Sequence, residues 1–191
     1  LGWPEPTRVK LTIMKRFLQV ASLPASRIEK VLGPLRPAFP QVVAAPSILT
    51  TGLTNMNATL HVANMVGNIG RLEGSGNAYR FYAEGYTPSL IALLESLDDE
   101  RLAVAKAYGV QVPGIHQWLL NTYGLSGDSL RETFHRLTHE PTGPYQWTPT
   151  PPSLQHKYVI EDVPCGLVAM SELGRGGGVG APVIDRLILP A

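Results

Sequence analysis

The chain has 191 residues, 44 % of them hydrophobic and 16 % charged, with a formal net charge of +1. This describes one domain, or one domain with part of another, able to bury a core and too apolar to be disordered. The balanced charge, with no basic run, excludes nucleic acid and anionic membrane as expected partners, and no apolar run approaches the ~20 residues of a membrane span.

The chain opens on "LGWPEPTRVKLT", with no initiator methionine and no signal peptide, as though taken from something longer. "TRVKLTIMKRFLQVASLP" (7–24) is rich in β-branched and apolar residues and predicts one or two strands. "SRIEKVLGPLRPAF" (26–39) predicts a short helix stopped by Pro37 and Pro40, and "QVVAAPSIL" an extended segment. A helix is expected from Thr54 to Asn68. The clearest helix is "TPSLIALLESLDDERLAVAKAYGV", with Thr87 as N-cap, Pro88 at its first position and Gly109 as its stop. Its apolar stripe is Leu90, Ile91, Leu93, Leu94, Leu97 and Val104. Two shorter helices follow in "PGIHQWLLNTYG" and "GDSLRETFHRLT", then a Pro/Thr loop (140–153) holding Tyr145 and Trp147. Asp162 to Leu173 and Pro182 to Leu189 close the chain as helices. The whole is mainly α, with strands only at the front and no alternating β-α-β pattern.

Asn57, His61, Asn64 and Asn68 fall at i, i+4, i+7 and i+11 on one helix, a single stripe. No Lys, Arg, Asp or Glu occurs from Thr54 to Gly70, so this is not an ordinary solvated face. It reads either as a set of satisfied core amides or as the wall of a cleft, and in both cases each polar group needs a partner. The run "GRGGGVGA" formally contains a dinucleotide fingerprint. A helix precedes it and too little chain follows, so an interhelical turn is expected. His135 and His139 have zinc-compatible spacing, but Arg131, Glu132 and Arg136 beside them predict an exposed charged face without metal. "NAT" (57–59) is a glycosylation sequon by pattern only. Cys165, the one cysteine, excludes an internal disulfide, fits a reducing, cytoplasmic setting, and is expected as a packed thiol rather than a nucleophile.

The blocks "NMNATLHVANMVGN", "EGYTPSLIALLESLDDERLAVAKAYGV", "HKYVIEDVPCGLVAMSELGR" and "VGAPVIDRLI" together resemble the C-terminal helical domain of the octopine/nopaline (opine) dehydrogenase family. The resemblance implies a helical domain like the C-terminal domain of 6-phosphogluconate dehydrogenase, over residues 25–191. Residues 1–24 would be the remnant and linker of a preceding nucleotide-binding domain. It implies NADH or NADPH as cofactor, bound mainly by that other domain, with an amino acid and a 2-oxo acid as substrates. It also admits a homodimer. Carried over by position, the family's N-x-x-x-H falls on Asn57 and His61 and its catalytic acid on Asp162. Lys157, five residues before that acid, takes the place of a carboxylate-binding base, keeping the charge without the bidentate fork of arginine. Thr87 opens a helix whose N-terminus would favour a substrate carboxylate.

The chemistry agrees with the carry-over. Imidazole is suited to passing a proton beside a C=O or C=N bond, and a neighbouring carboxylate would hold its tautomer. The alternative is a helical binding or dimerisation module that keeps the fold and performs no reaction. Retention of Asn57, His61 and Asp162 together favours the enzyme.

Overall fold

The computed structural model describes residues 13–74, 79–141 and 143–188. At the front is one β-α-β unit. Strand β1 (Leu18–Val20) and strand β2 (Val42–Ala44) pair in parallel, Leu18 opposite Val42 and Val20 opposite Ala44. A parallel pair needs a crossover, supplied here by a 3₁₀ turn (Ala25–Arg27) and helix α1 (Ile28–Leu35). Of the strand expected over 7–24, only Leu18–Val20 is formed among the described residues, and residues 7–12 lie outside them. The extended segment at "QVVAAPSIL" is also shorter than expected. Ser47 caps a new helix, α2 (Ile48–Leu53), its hydroxyl accepting from Thr50 N.

From there the described chain is helical: α3 (Met56–Gly67), α4 (Ile69–Gly74), α5 (Phe81–Gly85), α6 (Pro88–Ala107), α7 (Ile115–Tyr123), α8 (Leu130–His139), α9 (Lys157–Ile160), α10 (Val168–Gly176) and α11 (Pro182–Ile188). Helix α6 follows its sequence signals. The Thr87 hydroxyl accepts from Leu90 N, Pro88 needs no donor, and Gly109 ends the helix at φ +65°. Its Leu90, Ile91, Leu94, Leu97 and Val104 are buried and Leu93 is half-buried. The last region departs from expectation. Instead of one helix from Asp162, the short α9 comes first, and a π turn over Val163–Leu167 then leads into α10. Pro164 in that turn has no N–H to give to a regular helix.

The core is built around α3, which packs against α6, α9 and the π turn. Met56, Ala58, Val62, Ala63 and Met65 of α3 are essentially inaccessible to solvent. A second internal fixture is ionic. Arg101 of α6 is 0 % exposed and donates to Asp98 Oδ1, to Leu53 O at 2.5 Å and to Pro113 O at 2.7 Å. Asp98 Oδ2 in turn accepts from Ile115 N at 2.7 Å, capping α7. One buried pair thus ties α6 to the end of α2 and the start of α7, with its polar atoms largely matched. Similarly, the Glu100 carboxylate accepts from Val183 N and Ile184 N at the start of α11.

Asp98→Ala should leave the Arg101 guanidinium buried without its counter-charge. A loss of about 3–5 kcal/mol is expected, measured as a drop in the urea midpoint of the folded domain.

Candidate active site

The polar stripe on α3 organises the site. Asn64 is 0 % exposed and its Nδ2 donates to Phe81 O at 2.8 Å. Asn68 Nδ2 donates to Asn64 O at 2.9 Å, to Asn64 Oδ1 at 3.0 Å and to Gly85 O at 3.1 Å. These amides therefore hold both ends of α5 against α3. The fit is tight: a Cβ on Gly85 would lie 2.4 Å from Asn64 Oδ1. From the other side, Phe81 N donates to Thr148 O at 2.8 Å, so the Pro/Thr loop also holds the start of α5.

Helix α5 carries Tyr82, and Tyr82 meets His61. The His61 ring makes two in-plane bonds, Nδ1 to Asp162 Oδ2 at 2.7 Å and Nε2 to the Tyr82 hydroxyl at 2.9 Å. A carboxylate only accepts, so Nδ1 carries a proton. In the neutral ring Nε2 then accepts from Tyr82 O–H. Tyr158 of α9 stacks on the imidazole face, with ring centroids 3.6 Å apart and 19° between planes. His156 caps α9 through its Nδ1, which accepts from Tyr158 N. Burial, and next the neighbouring Lys157 charge, hold His156 below the ordinary histidine pKa, which suits an accepting ring nitrogen. Burial pushes the Tyr82 phenol far above its usual range, with Tyr86, Tyr158, Tyr145 and Tyr123 adding to the effect. Tyr82 is further fixed by Phe81 at 4.9 Å and Tyr145 at 4.8 Å between ring centroids.

Asp162 reaches His61 because the π turn lies flat on α3. Gly166 abuts Ala58 so closely that a Cβ there would lie 2.2 Å from the Ala58 Cβ. His61 and Asp162 are thereby joined across 101 residues of sequence.

The other expected residues stand further out. Asn57 lies one turn before His61 but is exposed. It lines a cleft of about 550 Å³ together with Lys15, Gln19, Thr54 and Trp118. Lys157 begins α9, is exposed, and forms no ion pair among the described residues. The Thr87 hydroxyl is committed to capping α6, and no contact joins it to the His61 cluster among the described residues. Cys165 is exposed beside an apolar hollow rather than packed, because the π turn presents it outward. His135 and His139 stand exposed on α8 with their rings stacked, and no group of His, Cys, Asp or Glu among the described residues could hold a metal. The glycine run ends α10, whose last residue is Gly176, and then forms the turn to α11, with Gly178 at φ +68°.

Sequence reasoning missed Tyr82 and Tyr158. The available signals were the aromatic cluster "RFYAEGY" and the tyrosine inside the charged block "HKYVIED".

Fold and site together define a helical domain with a largely buried imidazole–carboxylate pair. Residues 44–191 match the family described as NAD/NADP octopine/nopaline dehydrogenase, alpha-helical domain, and the chain belongs to that family. It is 37 % identical over 183 residues to an opine dehydrogenase of Arthrobacter sp. (strain 1C), covering 96 % of this chain and 49 % of the relative. It is 27 % identical over 188 residues to protein ocs of Agrobacterium tumefaciens (strain Ach5), covering 96 % of this chain and 50 % of that protein. The chain thus spans about half the length of these relatives. The fold is similar to octopine dehydrogenase solved with NADH and agmatine, with TM-score 0.70, 23 % identity, and coverage of 84 % of this chain and 43 % of that one. The structure of octopine dehydrogenase with NADH and L-arginine gives the same TM-score of 0.70 at 24 % identity. No helix among the described residues is long and apolar enough to cross a membrane.

Gly166→Ala should force the π turn off Ala58 and move Asp162 from His61. A cost of about 1–3 kcal/mol is expected, read by thermal unfolding. Gly52→Ala is the control: nothing lies within 4 Å of the added methyl, so stability should hold or rise.

Proposed function

We propose that this chain is the substrate-binding and proton-transferring domain of an opine dehydrogenase, which joins an amino acid's amine to a 2-oxo acid with NADH or NADPH as reductant. The observation that carries this reading is the 2.7 Å bond between His61 and Asp162. Condensing an amine with an oxo acid and reducing the product requires protons to be given and taken beside the reacting oxygen and nitrogen. Imidazole does both near neutral pH. Asp162 keeps one tautomer and stabilises the imidazolium, the role of a buried acid beside a catalytic histidine.

Lys157, exposed and five residues before Asp162, forms no ion pair among the described residues and offers its positive charge to a substrate carboxylate. The cleft bearing Asn57 lies one helical turn from His61 and would receive the amine. The substrate classes follow the solved relatives, octopine dehydrogenase complexes that hold NADH with agmatine, L-arginine or pyruvate. When bound, the nicotinamide supplies the hydride. The described residues offer no cradle for its phosphates, since the glycine run turns between two helices. Nucleotide binding would fall to a further domain, with residues 1–24 leading in from it and the reaction taking place in the cytoplasm.

In the protein that carries both halves, His61→Ala should lower kcat by ~10²–10⁴-fold while NADH still binds. Asp162→Asn should also lower kcat, and Lys157→Ala should mainly raise KM for the oxo acid. Steady-state kinetics with a panel of amino acids and oxo acids test all three, and an unchanged kcat in His61→Ala would remove the histidine from the mechanism. Calorimetry on the 191-residue chain alone should give no saturable micromolar NADH binding.

A further inference from the structure

The cleft that the proposed function gives to the amine substrate lies between the front of the chain and the helical body. Lys15 and Gln19 line it from the first side, Asn55 and Asn57 from the start of α3, and Trp118 from α7. Among the described residues that line it there is no Asp or Glu, and Lys15 is the one charged residue.

Lys15 is half-buried, and its Nζ stands 5.3 Å from the centroid of the Trp118 ring. It forms no ion pair among the described residues. Trp118 is held edge-on by Tyr123, with ring centroids 5.8 Å apart. Arg16 N donates to Thr122 O at 2.8 Å, which pins the backbone beside Lys15 to α7. Burial pulls the Lys15 ammonium below its ordinary pKa. This is a cation partly stripped of water and left without a counter-charge.

The start of α3 adds to the same field. Asn55 Oδ1 accepts from Asn57 N, which leaves the Asn55 Nδ2 group to donate elsewhere. The positive end of the α3 dipole opens into the cleft beside them. Gln19 Oε1 is buried with no hydrogen-bond partner among the described residues, which calls for a polar rather than an apolar occupant.

Building on the function proposed above, we propose that Lys15 is a specificity-determining residue and that the amino acid joined here carries a carboxylate on its side chain, as glutamate does. A carboxylate supplies the counter-charge that Lys15 lacks and accepts from the free amide. A cationic side chain, such as that of the L-arginine held by octopine dehydrogenase, would meet Lys15 and the α3 N-terminus with like charge. An apolar side chain would cover the ammonium further and give it no partner. The reach fits as well. Asn57 and His61 stand one helical turn apart, about 5–6 Å between Cβ atoms, a span that a glutamate side chain covers when its amine lies beside His61.

The test is steady-state kinetics in the protein that carries both halves, with L-glutamate, L-glutamine and L-arginine as amine donors. The wild type should use L-glutamate with kcat/KM at least ~10-fold above that for L-glutamine, and L-arginine least of all. Lys15→Met should lower kcat/KM for L-glutamate by ~10–100-fold, mainly through KM, and act far less on L-glutamine. Lys15→Glu should reverse the order and favour L-arginine over L-glutamate. A wild type that takes L-glutamine or L-arginine as readily as L-glutamate would overturn the proposal, even if neither variant folds. Equal losses on L-glutamate and L-glutamine in Lys15→Met would overturn it too. If neutral or cationic amino acids are turned over and acidic ones are not, only the specificity fails. If no amino acid is joined to any 2-oxo acid, the proposed function fails with it.

Discussion

A buried helix face that carries polar groups must find a partner for each of them, and the arrangement around α3 follows from that requirement. Asn64 is fully buried and Asn68 half-buried, and they take the backbone carbonyls at the two ends of α5. That choice places Tyr82. His61, on the same stripe, then has one nitrogen facing Tyr82 and the other facing the end of α9, where Asp162 is brought in by the π turn. The structural amides and the His61 imidazole are thus parts of one network, and the amides make the surroundings of the ring rigid.

The scaffold behind this network uses charge sparingly. The Arg101–Asp98 pair spends its hydrogen-bonding capacity on backbone ends, Leu53 O, Pro113 O and Ile115 N, rather than on further side chains. Leu53 lies just before α3, so the pair also fixes where the stripe begins. Stability and site geometry are coupled through α6, although no residue of that helix bonds to His61 among the described residues. The exposed ion pairs on α8 and α10, such as Arg136–Glu132, contribute little beyond solubility.

Much of this was legible in the sequence. The absence of charge from Thr54 to Gly70 marked α3 as internal, and the Thr87, Pro88 and Gly109 signals framed α6. The resemblance singled out Asp162 as the partner of a histidine far away in sequence. What stayed hidden depends on tertiary packing. The π turn arises because Pro164 cannot donate and Gly166 must press on Ala58, and neither contact has a periodic signature. That turn also exposes Cys165, against expectation. Helices α2, α4 and α5 are too short for their apolar residues to repeat. Nothing local in the "DDER" segment tells that Arg101 points inward to carbonyls from distant segments. Tyr82 escaped for the same reason, since its importance lies in the partner of its hydroxyl and not in its neighbours along the chain.

The claim on which the rest turns is that Asp162 and Tyr82 divide the two nitrogens of His61 between them. Long-range ¹H–¹⁵N correlation of the histidine rings reads this directly on the chain itself. At high pH, where the ring is neutral, His61 should appear as the Nδ1–H tautomer, with a downfield, slowly exchanging proton that Asp162→Asn alters. An Nε2–H tautomer, or a rapidly exchanging ring proton indifferent to Asp162, would contradict it.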